Sequence, residues 1–294
     1  MGTSTIERIE RFAFTASGEG GTSYSISVFL PTGLAEAAGT ARVLFVLDAD
    51  MAMGMAAEIV ESASVSGTIE PVIVVGIGYG SDLMTMAKLR TKDFTPPLHT
   101  AHAAEVKALA HMIGNDRGGA ERFLSVILDE LAPAIARRCP QASLTGNILL
   151  GHSLGGLFVS YALLTRPDAF ATFLISSPSL WWDGFAILAG LKDLPAKLAG
   201  SNTRPTVFVS VGSKEQDAPD RLPAMMPPGT DLAAMQTLVA NARMVDAAQD
   251  FAIALRNAGL VCMLTTFEGA THTSVLPGMI SRSLLFALES DGKR

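Results

Sequence analysis

Leu144-Thr145-Gly146-Asn147-Ile148-Leu149-Leu150, followed by Gly151-His152-Ser153-Leu154-Gly155-Gly156, is the stretch on which the fold turns. It reads as an apolar strand, a glycine-flanked serine and the opening of a helical run over Leu154–Leu164. The second half matches G-x-S-x-G. Small residues two before and two after a serine let strand and helix approach closely. The tight turn between them lifts the hydroxyl clear at the carboxyl edge of a sheet. The helix adds backbone N–H groups beside that hydroxyl, and the N–H of Leu154 is placed to receive a developing oxyanion.

Outward from this turn, Val43–Leu47, Pro71–Val75, Phe170–Ile175, Thr206–Val211 and Leu260–Phe267 are short β-branched runs, as a sheet buried on both faces requires. Between them Ala120–Arg138, Leu232–Ala258 and Val275–Leu288 carry helical patterns. The first sets Phe123, Ile127, Leu131 and Ile135 four apart, with Glu121 near its start and Arg137–Arg138 at its end to suit the helix dipole. Strand and helix alternate from residue 43 onward, which predicts an α/β fold with a mostly parallel, doubly covered sheet. Ahead of it, Ile9–Ala16 and Ser23–Leu30 flank Gly18, Gly20 and Gly21 and read as an N-terminal antiparallel hairpin. A single domain over 1–294 accounts for the length. Gln216–Thr230, with four prolines, exceeds the roughly 2–6 residues of an ordinary connection and is expected to be a lid-like insertion or a surface excursion.

Composition removes several classes of function. The formal charge is −6 with no basic run, which argues against nucleic acid as a partner. Half the residues are apolar (49%), and the mean hydropathy is +0.35. No apolar run approaches the roughly 18 residues of a membrane span, and MGTSTIERIERF has no signal-peptide core. The apolar surplus therefore belongs to a buried sheet, and a cytoplasmic protein without membrane contact is expected. Cys139 and Cys262 build neither a CxxC pair nor a four-cysteine zinc site. His99, His102 and His111 lack HExxH spacing, and no metal is expected. Gly76-Ile77-Gly78-Tyr79-Gly80 departs from GxGxxG, with no convincing helix after it. No cofactor is expected.

A serine at its ordinary pKa is a poor nucleophile and needs a base within reach. Hydrolases built around such a turn place serine, acid and histidine in that order. Only His272 lies downstream of Ser153, in the loop Phe267–His272 after the last strand. His152 adjoins the serine and is expected to point elsewhere. The acid should follow Val207–Val211, where Glu215 stands 62 residues after Ser153. Asp217 is an alternative, and a serine–histidine pair without a strong acid is another. A second oxyanion donor is expected from Leu47–Met51, at Ala49 or Asp50. Met51, Met53, Met55, Met84 and Met86 are read mostly as core.

With these residues in place the chain resembles an esterase family of α/β-hydrolases, in the branch of enterobactin-esterase-like, siderophore trilactone esterases. The resemblance runs from about Tyr24 to Leu288 through SYSISVFLP, VLFVLDAD, PVIVVGIGYG, RTKDFTPP, GGAERFLSVILDEL, GHSLGG, SSPSLWWD, VFVSVGSKE and FEGATHTSVLP. RTKDFTPP with SPSLWWD is its most specific part. It implies the α/β-hydrolase fold, Ser153 as nucleophile, His272 as general base and Glu215 at the acid's place. It sets Arg90 near the site, where it could meet an anionic part of a substrate, and Trp182, beside Trp181, as a pocket wall. Ala49 stands where the family commonly has Gly in an L-D-G loop. The implied activity is hydrolysis of a small-molecule carboxylic ester through an acyl-enzyme, with siderophore trilactones and simpler esters as substrate classes. The same residues suit an acyltransferase, and a non-catalytic binding protein would keep the fold. No feature specifies an oligomeric state.

Overall fold

The computed structural model describes residues 4–18, 21–36, 40–98, 116–201, 203–218, 229 and 231–288. Eight strands form one sheet in the order β1-β2-β4-β3-β5-β6-β7-β8. They are β1 (Glu10–Thr15), β2 (Ser23–Phe29), β3 (Val43–Leu47), β4 (Ile73–Gly78), β5 (Ile148–His152), β6 (Thr172–Ser176), β7 (Thr206–Gly212) and β8 (Val261–Phe267). β1 and β2 pair as an antiparallel hairpin whose second strand runs antiparallel to β4. Every pairing from β4 across to β8 is parallel. The architecture is the mostly parallel α/β sheet with an N-terminal antiparallel hairpin that the alternation predicts.

Both faces of the sheet are covered. Val43, Phe45 and Leu47 pack into one apolar cluster and Leu44 and Val46 into another, as the alternation of a strand's side chains demands. The second cluster is closed by α1 (Ala49–Val65), through Ala52, Ala56 and Val60, and by α8 (Leu276–Leu288), through Met279, Ile280 and Leu284. The first is closed by α2 (Leu83–Phe94), α3 (residues 120–138), α4 (Leu154–Thr165), α5 (Leu194–Ala199) and α7 (Met244–Asn257). Strand β1 has no buried residue, as befits an edge.

Helix α3 keeps the predicted stripe, with Phe123, Ile127, Leu131 and Ile135 all buried. It is three consecutive pieces: Ala120–Ser125, a π-helical turn Val126–Leu131, and Ala132–Arg138. Pro133 cannot donate to the carbonyl four residues back, and a widened turn ahead of it accommodates that loss.

Three expectations are corrected. The run Leu232–Ala258 divides into α6 (Leu232–Ala242) and α7 because Arg243 takes a left-handed conformation (φ 45, ψ 41). A helix does follow Gly76–Gly80: α2 opens after Asp82, whose carboxylate accepts from the N–H groups of Met84 and Thr85. The strand expected over Leu144–Leu150 begins only at Ile148, because Asn147 Oδ1 accepts the N–H of Val43 (2.9 Å) and Gly146 turns with φ 73. No helix among the described residues is long and apolar enough to cross a membrane. His99, His102 and His111 lie outside the described residues, as does most of Gln216–Thr230.

Candidate active site

Ser153 stands between β5 and α4 with φ 62 and ψ −121, a backbone region that side-chain-bearing residues rarely occupy. Gly151 permits the turn: a Cβ there would lie 2.3 Å from the carbonyl oxygen of Gly155. The serine's own backbone is fixed, its N–H donating to the Ser176 carbonyl (3.0 Å) and its carbonyl accepting from Leu157 and Ser179.

β7 and β8 deliver the other two groups. Glu215 follows β7 in a tight turn, and its side chain is fully buried. Its Oε1 accepts from the Gly212 N–H and from the Ser177 hydroxyl, both at 2.6 Å. Its Oε2 is 2.7 Å from His272 Nδ1. A carboxylate can only accept, so Nδ1 carries the proton and Nε2 is left as acceptor for the Ser153 hydroxyl at 2.9 Å. Three side chains from the ends of β5, β7 and β8 thus form one continuous relay. Asp217 is exposed, and the carboxylate that reaches the imidazole is that of Glu215. Gly212 allows the approach, since a Cβ there would meet the Ala270 carbonyl oxygen at 2.4 Å.

Two helices start at neighbouring strand ends on this edge of the sheet, after β3 and β5. The N–H of Leu154 is the first of α4, and those of Ala49 and Asp50 are the first of α1; such groups have no acceptor within their own helix. The Asp50 carboxylate accepts the N–H of Tyr79 (2.8 Å) and of Gly80 (3.4 Å), pinning the turn after β4 onto α1.

Arg90 is ion-paired within the protein. Its Nε and Nη2 donate to the two oxygens of Asp48 (2.9 and 2.7 Å). Trp182 is buried and does wall a cavity, of about 420 Å³, but with Leu157, Tyr161, Leu164 and Pro97 along the flank of α4. Neither Ser153 nor His272 lines it. Met53 and Met86 are core, whereas Met51 and Met84 are about half exposed.

His152 is the residue that reading the sequence missed. Its ring packs on that of His272 (centroids 4.6 Å apart), with Nδ1 3.1 Å from the Ser176 hydroxyl. Burial, then the neighbouring His272 and Arg90, push its pKa well below that of an ordinary imidazole. It is a neutral neighbour to the base. The i−1 position on a strained turn gave no sequence signal for that contact.

Fold and geometry together define a class, an α/β-hydrolase with serine, histidine and carboxylate aligned for attack on an acyl carbon. Residues 17–252 match the sequence model of the family described as "Putative esterase", and the chain belongs to that family. It is a carboxylic ester hydrolase. Among curated proteins it is 34% identical over 221 residues to the siderophore triacetylfusarinine C esterase of Aspergillus fumigatus, covering 74% of this chain and 70% of that one. It is 33% identical over 254 residues to the ferri-bacillibactin esterase BesA of Bacillus subtilis, covering 85% and 80%. Among solved structures, the siderophore hydrolase EstA of Aspergillus nidulans superposes with a TM-score of 0.79 at 24% identity, over 95% of this chain and 93% of that one.

Proposed function

We propose that this chain is a serine esterase that opens the ester bonds of a siderophore, with Ser153, His272 and Glu215 as its catalytic residues. The observation that carries the reading is His272 bridging Ser153 at 2.9 Å and Glu215 at 2.7 Å. In the first step Nε2 takes the hydroxyl proton as Oγ attacks the ester carbonyl, and Glu215 stabilises the imidazolium that forms. The N–H groups of Leu154 and of Ala49 or Asp50 receive the oxyanion. His272 then protonates the leaving alkoxide and activates the water that releases the acid. No step calls on a cofactor. The siderophore as substrate is supported by relatives of 30–34% identity that are named siderophore esterases. A cytoplasmic site of action accords with two unpaired cysteines, one buried and one half-buried.

Turnover of p-nitrophenyl butyrate and of a cyclic siderophore triester, followed by chromatography of the linear products, tests this. Ser153→Ala should lose at least about a thousandfold in kcat on both. Full activity in that variant would refute the assignment.

A further inference from the structure

Asp48 is the residue immediately before α1, where an aspartate ordinarily folds its carboxylate back onto the N–H of the second or third residue of its own helix, here Asp50 or Met51. Here it makes no such bond. Its backbone is left-handed (φ 52, ψ 45), its carbonyl accepts from Met51 and Ala52, and its carboxylate is held bidentately by Arg90. The pair is withdrawn from water, the two side chains being 15% and 5% exposed, and the guanidinium carbon stands 5.4 Å from the ring centre of Phe94. The pair also adjoins the serine's helix: a Cβ built on Gly155 would come within 3.4 Å of Asp48 Oδ2.

We propose that Arg90 is a positioning residue that diverts the Asp48 carboxylate from capping α1, and so keeps the Asp50 N–H free for the oxyanion. The inference rests on the esterase reading above. Arg90 does two things at once. It removes a competing acceptor from the Asp50 N–H, and it neutralises a negative charge that would otherwise oppose a negative charge forming beside it. Without Arg90, the carboxylate is released toward the helix start, where an aspartate is among the favoured caps.

A rescue separates this role from a simple structural or substrate-binding one. In Arg90→Met, kcat on the uncharged p-nitrophenyl butyrate should fall about a hundredfold with KM within roughly threefold. The Ki of a trifluoromethyl ketone, whose adduct places an oxyanion in the same position, should rise by a similar factor. In Arg90→Met/Asp48→Gly the liberated carboxylate is gone and glycine keeps the left-handed turn, so kcat should recover by about tenfold or more over the single variant. Should Arg90→Met fail to fold, Arg90→Lys, which keeps the charge but only one of the two bonds, should still lower kcat about tenfold at unchanged KM. An unchanged kcat in the folded arginine variant, a loss confined to KM, or a double variant no more active than Arg90→Met would overturn the proposal. Ser153→Ala, run alongside, separates the two levels. If it stays active the esterase assignment fails; if it is dead while Arg90→Met is unaffected, only the role of Arg90 fails.

Discussion

Replacing Glu215 by glutamine keeps shape and removes charge, and the surroundings of that side chain let the cost be worked out. Oε1 faces two donors, the Gly212 N–H and the Ser177 hydroxyl, and Oε2 faces the N–H of His272. A carboxamide offers one oxygen only. If the oxygen turns to His272, the amide NH₂ confronts Gly212 N–H, which cannot reverse its polarity although the Ser177 hydroxyl can. That leaves a buried donor unpaired, at about 1–3 kcal/mol. If the NH₂ turns to His272, the ring must accept at Nδ1 and carry its proton on Nε2, and it can no longer take the proton of Ser153. Either way the imidazolium of the transition state loses a charge-assisted bond worth about 1.5–3 kcal/mol. The sum, about 2.5–6 kcal/mol, is two to four orders of magnitude in rate at roughly 1.4 kcal/mol per decade. We expect Glu215→Gln to lower kcat on p-nitrophenyl butyrate by roughly 10² to 10⁴ with KM nearly unchanged. The labelling of Ser153 by a fluorophosphonate should slow in parallel. A folded Glu215→Gln variant that keeps kcat within a few-fold of the parent would refute the orienting role of the carboxylate.

Three further outcomes follow from contacts elsewhere. Gly212→Ala forces a methyl to within 2.4 Å of the Ala270 carbonyl oxygen unless β7 and the His272 loop part, so it should cost about 1–3 kcal/mol in a urea titration and lower kcat as well. His152 should stay neutral in the native state at pH 5.5, where an ordinary histidine is protonated; nitrogen chemical shifts of its ring that titrate near 6.5 would contradict the burial argument. Glu61 is held at a pKa of about 2, chiefly by hydrogen bonds from Arg8 and then from Thr32. Its contribution is complete above the ordinary 4.5 and is lost as pH falls from there toward 2. For a pair this near the surface that contribution is about 1 kcal/mol, and Glu61→Gln should flatten the acid limb of the stability curve by that amount.

The catalytic frame could be read from the sequence because its signals are local. The glycines around Ser153 announce the turn, and the chain order singles out His272. What escaped reading is what depends on distance or on unmarked backbone. Arg90 and Asp48 are 42 residues apart and carry no periodicity that would pair them, so an arginine in a site-lining segment reads as a receptor for anions. The helix α1 is rich in Ala and Met, which a strand-and-loop reading takes for packing around a loop. Arg243 breaks a helix with a left-handed conformation that glycine would have advertised and arginine does not.

The positions of strain explain why these local and distant features converge. Asp48, Ser153 and Ser177 all have positive φ (52, 62 and 42), and each is the first residue after a strand, β3, β5 and β6 respectively. Those strands are neighbours in the sheet, so the three stand side by side on its carboxyl edge. Each carries a polar side chain engaged by a group from elsewhere in the chain: Arg90 for Asp48, His272 for Ser153, Glu215 for Ser177. Backbone of this kind costs of order 1–3 kcal/mol per residue. Three such residues approach the whole folding free energy of a typical domain, about 5–15 kcal/mol. They persist because the strands behind them are buried almost completely, with Leu44, Leu149, Phe173 and Leu174 at 1% exposure or less. A reversed chain direction at each strand end turns the side chain out of the sheet's alternation and toward its neighbours. The sheet's apolar core therefore stabilises the fold and also holds, at its edge, three strained turns that no local sequence preference would sustain.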